Sequence, residues 1–374
     1  MKTVRVFLIS KIIFLIAFAA VSQEVSQGYI ITDKHDLKAT SVKNQNSTGT
    51  CWSFATTSFI ESELMRMGKP EYDISEMFFV RYAYIQKGMD YVRYQGKTNF
   101  GEGGQAHDVL NVIKKYGFSD QKYYEGNTYD PGNYNHGELE AMLKAVLDVV
   151  LSKPNKKLTP VWDEAYVAII DTYLGELPES VKEKKVSHST IGFATETGFN
   201  PNDYVEITSF THHPFYEQFI LEVPDNWSKE LYYNVPLDDL MLIMNNSLKM
   251  GYSFVWDGDM SQPGFSHKNG FAIVPEGEVQ FEKPAPEKNI TQQYRQQEFD
   301  NLSTFDDHLM HITGLANDQN GTTYYKTKNS WGTERGKFGG YLYMSEQYMR
   351  LNTIAILVHK NTIPKEIKEK LKIN

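Results

Sequence analysis

The sequence predicts an α+β fold in which a helical part, a mixed middle and an antiparallel β part follow one another. Three observations carry this reading. Apolar residues recur at helical spacing in the first third. The middle mixes that spacing with short β-like runs. Roughly the last seventy residues alternate in strand-length runs around turn signals.

The first helix is expected over 51–67, "CWSFATTSFIESELMRM". Trp52, Ala55 and Phe59 share a face, widened by Ile60 and Leu64; Thr48 or Thr50 suits its start and Gly68 its end. A second follows Ser75 in "SEMFFVRYAYIQKG". A third fits "QAHDVLNVIKKYG", closed by Gly117. In the middle, "ELEAMLKAVLDVVLS", "WDEAYVAIIDTYLGELP" and "PLDDLMLIMNNSLKMG" are helical in period, and "YSFVWDGDM" reads as β. The strands at the end are "HLMHITGLAND", "TYYKTKNSW", "GGYLYMS" and "TIAILVH". Asn320-Gly321 between the first two suits a tight hairpin, since both residues tolerate positive φ.

Four segments are expected: a signal peptide at 1–23, a helical part at 24–120, a mixed insertion at 121–300 and a β part at 301–374. The signal rests on basic Lys2, Arg5 and Lys11, the apolar run "IIFLIAFAAV" and a small-residue site ending at Ala19. That run is too short to span a bilayer, so export to the periplasm or the extracellular space is expected, with no stable membrane insertion after cleavage. A net charge of −9 argues against nonspecific nucleic-acid binding. With one cysteine, no intramolecular disulfide forms, and stability must come from the core.

That cysteine, Cys51, is an inert small hydrophobe or a reactive group. A nucleophilic thiol needs a lowered pKa, a base and donors for the oxyanion. A helix N-terminus serves the first need. Gln45, six residues earlier, offers a side-chain N–H for the third, joined by the Cys51 backbone N–H. For the second, His308 opens a strand in "FDDHLMHITG", and the strand behind it ends in "KNSWG". Asn329 there can accept a hydrogen bond from the imidazole, and Trp331 can shield that bond. His308 and His311 with Asp306 and Asp307 suggest a metal site instead, but strand residues three apart face opposite ways. Adjacent His212 and His213 are also poor joint ligands. No metal or cofactor is expected.

"VKNQ" before "CWSF", with "DH" and "KNSWG", resembles the papain-like cysteine peptidases. The His308-to-Gly314 spacing matches the family and selects His308 over His311. "GEGGQAHDVLNVIKKYGF", "YLGELPES", "YYNVPLDDLMLIMNNSLKMGYSFVWDGDM" and "FDDHLMHITG" resemble, in order, the bleomycin hydrolase and bacterial aminopeptidase C branch, over about residues 40–370. The resemblance implies a two-layer fold, a helical domain plus an antiparallel β-barrel-like domain, with a long mixed insertion. It implies Cys51 as nucleophile, His308 as general base and then acid, Asn329 as orienter and Gln45 in the oxyanion hole. It assigns Gly103 and Gly104 to close approach of a substrate strand, and Trp331 to shielding Asn329. Peptides are the implied partners, and a homo-oligomer, a hexamer in the family, the implied assembly.

The sequence also departs from the pattern. Thr48 stands where papain has a second cysteine. Thr50 stands where the branch commonly has arginine. Cys51 lies too near the expected mature start to leave room for a long propeptide. In the branch a C-terminal arm restricts the enzyme to free N-termini; here "LVHKNTIPKEIKEKLKIN" matches the start of that region and stops at Asn374. An aminopeptidase is expected, with an open-cleft endopeptidase as the alternative. A third alternative, an inactive peptide-binding relative, is disfavoured because Cys51, His308, Asn329 and Gln45 are all present.

Overall fold

The computed structural model describes residues 28–152, 157–177 and 190–374. The expected signal at 1–23 and the end of the "YLGELPES" stretch lie outside the described residues.

Helix α1 (Cys51–Arg66) is buried on every side from Cys51 to Leu64, polar residues included, so the apolar face read from sequence is only part of its packed surface. Its buried Glu61 accepts hydrogen bonds from Thr40 Oγ1 and the Ile74 N–H, which is what lets a charged residue sit inside. α2 (Glu76–Arg93) is capped by Ser75, whose hydroxyl accepts from the Phe78 N–H. α3 (Ala106–Tyr116) starts with Asp108 accepting from the Gln105 N–H and ends at Gly117, whose φ of 74° favours glycine. α4 (Gly137–Leu151) and α5 (Trp162–Leu174) bury Leu139, Leu143, Leu147, Tyr166 and Ile170. Each such side chain contributes roughly 1.5–3 kcal/mol on leaving water. α6 is Thr190–Thr197.

The strands are β1 (Thr32–Asp36), β2 (Tyr204–Thr208), β3 (Gln218–Ile220), β4 (Leu231–Asn234), β5 (Phe254–Gly258), β6 (Phe265–Ser266), β7 (Phe271–Ala272), β8 (His308–Asn317), β9 (Thr323–Lys328), β10 (Tyr341–Ser345) and β11 (Thr353–His359). They form one sheet in the order β3-β4-β2-β11-β5-β8-β9-β10-β7-β6, with β1 also paired to β8. It is mostly antiparallel, β2/β4 and β7/β10 being parallel.

The barrel-like closure expected for the β part is not found. The sheet is open and ends in the short strands β3 and β6. Helices cover both its faces, so it has no need to curl on itself to bury them. Val255, Leu309 and Leu357 pack with α1–α5 on one face. Trp256, Met310, Ile312 and Ile356 pack on the other with α7 (Leu237–Lys249) and α10 (Lys365–Leu371). α8 (Gln292–Asp300) and α9 (Glu346–Asn352) lie near each other. Strands from 204–272 and from 308–359 alternate in this sheet, so both stretches build one core.

The turn at Asn320-Gly321 is longer than the tight hairpin expected. Asn317 pairs with Thr323, leaving five residues between. Asp318 organises that loop by accepting from the Asn320 and Thr322 N–H groups, and Gly321 alone of the pair takes positive φ.

Candidate active site

Cys51 is the first residue of α1, and the segment before it is fastened to the "KNSWG" loop. Asn44 bridges Trp331, the Gln45 N–H donates to Ser330 O at 2.8 Å, and the Gly332 N–H donates to Lys43 O at 3.1 Å. The Gln45 side chain is held at both ends, its Nε2 donating to Thr48 O (2.7 Å) and its Oε1 accepting from Ser330 Oγ (2.5 Å). A second hydrogen on Nε2 remains to be directed elsewhere.

The thiol lies beside the start of β8, close enough for the Leu309 N–H to favour its thiolate. His308 is the neighbouring residue. Its Nε2 lies 2.8 Å from Asn329 Oδ1, which also accepts from the Ser330 N–H at 2.7 Å. Because that backbone donor identifies Oδ1 as the acceptor, the His308 proton sits on Nε2 and Nδ1 carries the lone pair. The Trp331 ring covers the imidazole, centroids 5.0 Å apart at 31°. Sequence reasoning missed His267, whose ring packs on Trp331 at 5.1 Å and whose Nδ1 lies 3.4 Å from Asn329 Nδ2. It comes from a β6–β7 turn with no recognisable pattern.

Cys51 is 8% exposed. Burial, the largest cause, pushes its thiol up, and the charges of Asp225, Asp306 and Asp257 add to this; the Leu309 N–H opposes them. The lowering expected from the helix N-terminus is therefore outweighed here. Burial also holds His308 down at about 4, against the raising effect of Asn329. Both shifts favour the neutral thiol–imidazole state over the ion pair.

Gly103 and Gly104 sit beside this centre. A Cβ on Gly104 would approach the Trp52 ring to 3.0 Å and Asp108 Oδ2 to 2.9 Å; one on Gly103 would overlap the Asp225 carboxylate. The segment is tied to α1 by Trp52 Nε1 donating to Glu102 O at 3.0 Å and the Gly49 N–H donating to Glu102 Oε2. A side chain at either position thus requires Trp52 or a neighbouring carboxylate to shift.

The other histidines raised by the sequence lie elsewhere. His311 Nδ1 meets Ser58 Oγ at 2.9 Å on the α1 side of the sheet. His212 and His213 both reach Glu222, at 3.1 and 2.7 Å. Gln296, oriented by the Thr211 N–H on its Oε1, donates to His212 Nδ1. The His212 proton is therefore on Nε2, facing Glu222, where a metal would need a lone pair.

Residues 31–169 match the Papain family cysteine protease, and residues 180–374 match the Peptidase C1-like family. With the fold and the gathered cysteine, histidine and asparagine, these matches define a papain-like cysteine peptidase. The second match spans more than half of the chain, and the chain belongs to the Peptidase C1-like family, on its bleomycin hydrolase and aminopeptidase C branch. It is 24% identical to bleomycin hydrolase of Gallus gallus, over 87% of this chain and 81% of that one. It is 23% identical to aminopeptidase W of Lactobacillus delbrueckii subsp. lactis, over 95% and 89%. The crystal structure of PepW from Lactobacillus rhamnosis superimposes with a TM-score of 0.73 at 18% identity, covering 91% of this chain and 84% of that one, a likeness of fold.

Proposed function

We propose that this peptidase is an exported aminopeptidase in which Cys51 attacks the first peptide carbonyl of its substrate. The observation that carries the mechanism is the His308–Asn329 hydrogen bond, which leaves Nδ1 unprotonated. As the Cys51 sulfur bonds to the carbonyl carbon, its proton passes to His308 Nδ1. The oxyanion is met by the Gln45 amide and the Cys51 N–H. Collapse of the tetrahedral adduct breaks the C–N bond; His308 returns the proton to the departing amine, leaving a thioester on Cys51. Water, deprotonated by His308, then attacks the thioester, and the thiol is restored. Asn329 keeps the imidazole in plane throughout, and Trp331 keeps water from that bond.

Aminopeptidase action is supported by the relatives named for it. One observation favours an endopeptidase instead. Residues 365–373 do not lie by Cys51; Ile367, Leu371 and Ile373 pack on the opposite face of the sheet, with the α7 cluster. Hydrolysis of a free-amine peptide and its N-acetylated twin tests the two readings. The aminopeptidase reading expects the free amine alone to be cut, and equal cleavage of both defeats it. Export is proposed on the basic and apolar N-terminal segment, and N-terminal sequencing of the mature protein tests it: a start near residue 20–24 is expected, and an intact Met1 would contradict it.

A further inference from the structure

Asp257 lies at the end of β5, 3% exposed, and neither of its carboxyl oxygens accepts a well-formed hydrogen bond from any described donor. The Gln105 amide acts on it, but a buried carboxyl with no well-formed hydrogen bond is costly and calls for an account. Its position is informative. Asp257 pairs across the sheet with Leu309, the residue after His308 and one whose N–H acts on the Cys51 thiol, and lies on the same face as Val255 and Leu309, toward α1. Burial raises both Asp257 and Asp306, and each acts on the other, which favours a neutral form for one of the two. Gln105 Nε2 donates to Asp306 Oδ2 at 2.9 Å, while Oδ1 is left without a partner. Asp225, against Gly103, adds a third carboxyl that acts on both Asp257 and Asp306.

The cations nearby are otherwise engaged. Lys87 Nζ donates to the carbonyls of Gly101 and Gly103. His107 is paired with Glu206 at 2.7 Å. Lys87 still acts on the Asp225 carboxyl, which also accepts from Asn99 Nδ2, but no cation figures among the described partners of Asp257 and Asp306; Asp306 and Asp225 are half-buried rather than sealed, so a ligand can reach them.

We propose that Asp257 and Asp306, with Asp225, bind the α-ammonium group of the peptide's first residue. That group is two bonds from the carbonyl carbon attacked by Cys51, so its counter-charge must stand beside the nucleophile. The carboxyl pair does so through the Asp257–Leu309 register. A lysine side chain, whose ammonium is four bonds farther out, is served less well by carboxyls so close to the thiol. This inference rests on the aminopeptidase reading above and names the groups that enforce it.

Binding can be read without turnover. Leu-Gly-Gly-Leu amide, its N-acetylated twin and Nα-acetyl-Lys-Gly-Gly-Leu amide are titrated calorimetrically into the full-chain Cys51→Ala protein. The free amine is expected to bind about tenfold or more tighter than either acetylated peptide, the worth of a charge-assisted hydrogen bond. Asp306→Asn is expected to bring the free-amine and acetylated affinities together, and Asp257→Asn to do the same. Equal binding of the twins to the Cys51→Ala protein would overturn the proposal, as would a preference that survives both substitutions or tighter binding of the lysine peptide. Absence of hydrolysis by the parent with the binding preference intact would instead strike the peptidase mechanism, so the two failures are distinguishable.

Discussion

At the residue scale, His308 makes the sharpest claim about pH. Its ring is held down at about 4, so it stays an unprotonated base until the pH falls near that value. With substrate bound, the acid limb of kcat is expected near pH 4, with activity lost below it; a kcat limb at the ordinary histidine value, about 6.5, would contradict the burial argument. Asn329→Ala removes the orienting acceptor but not the base, and kcat is expected to fall about 10- to 100-fold, less than for His308→Ala. Gln45→Ala is expected to cost roughly 10²-fold in kcat as a lost oxyanion donor, and unchanged turnover would remove Gln45 from that role. The gathering of Cys51, Gln45, His308 and Asn329 was legible because each sits in a short motif with a chemical reason for its spacing. Asp257, Asp306 as a ligand, and His267 were not. Their meaning depends on which strand lies across from which, and no local pattern carries strand register.

At the scale of elements, the long amphipathic helices α1–α5 and the long strands β8–β11 fell where periodicity put them, because each is long enough for its spacing to repeat. The two-residue β6 and β7 and the three-residue β3 were missed, as nothing periodic fits in so short a run. The tail was read as the start of an arm, yet "PKEIKEKL" carries Ile367 and Leu371 one helical turn apart and docks them on the α7 face as α10. Element packing also predicts a mutant. In Gly104→Ala the added methyl meets the Trp52 ring of α1 and Asp108, which caps the start of α3. Stability is expected to fall by about 1–3 kcal/mol, the range for overpacking, with kcat reduced because Cys51 adjoins Trp52. Urea unfolding and steady-state kinetics check both parts.

At the scale of the whole molecule, the open sheet is what the sequence could not show. Strand candidates were identifiable, but whether a sheet closes depends on what covers its faces, here α1–α5 on one side and α7 with α10 on the other. The carboxyl pair beside Cys51 also leaves a global signature. Its protons are held more tightly in the folded protein than in the unfolded chain, since burial raises the carboxyl pKa values. Between the ordinary aspartate value and the raised ones the folded state binds more protons, so this contribution to stability declines as pH rises. Asp257→Asn is therefore expected to be more stable than the parent at pH 8, by about 1–3 kcal/mol, with the gain shrinking at pH 5. Urea titrations at the two pH values decide it, and a variant less stable at pH 8 would show that the charge is compensated.

The proposed hydrolysis requires Cys51 as the nucleophile. Rapid mixing of the protein lacking residues 1–23 with a free-amine aminoacyl ester, followed by acid quench and peptide mass mapping, tests this most directly. The expected result is an acyl group on the peptide containing Cys51, formed in a burst, with neither adduct nor hydrolysis in Cys51→Ala. Turnover by the alanine variant, or an adduct on any other residue, would contradict it.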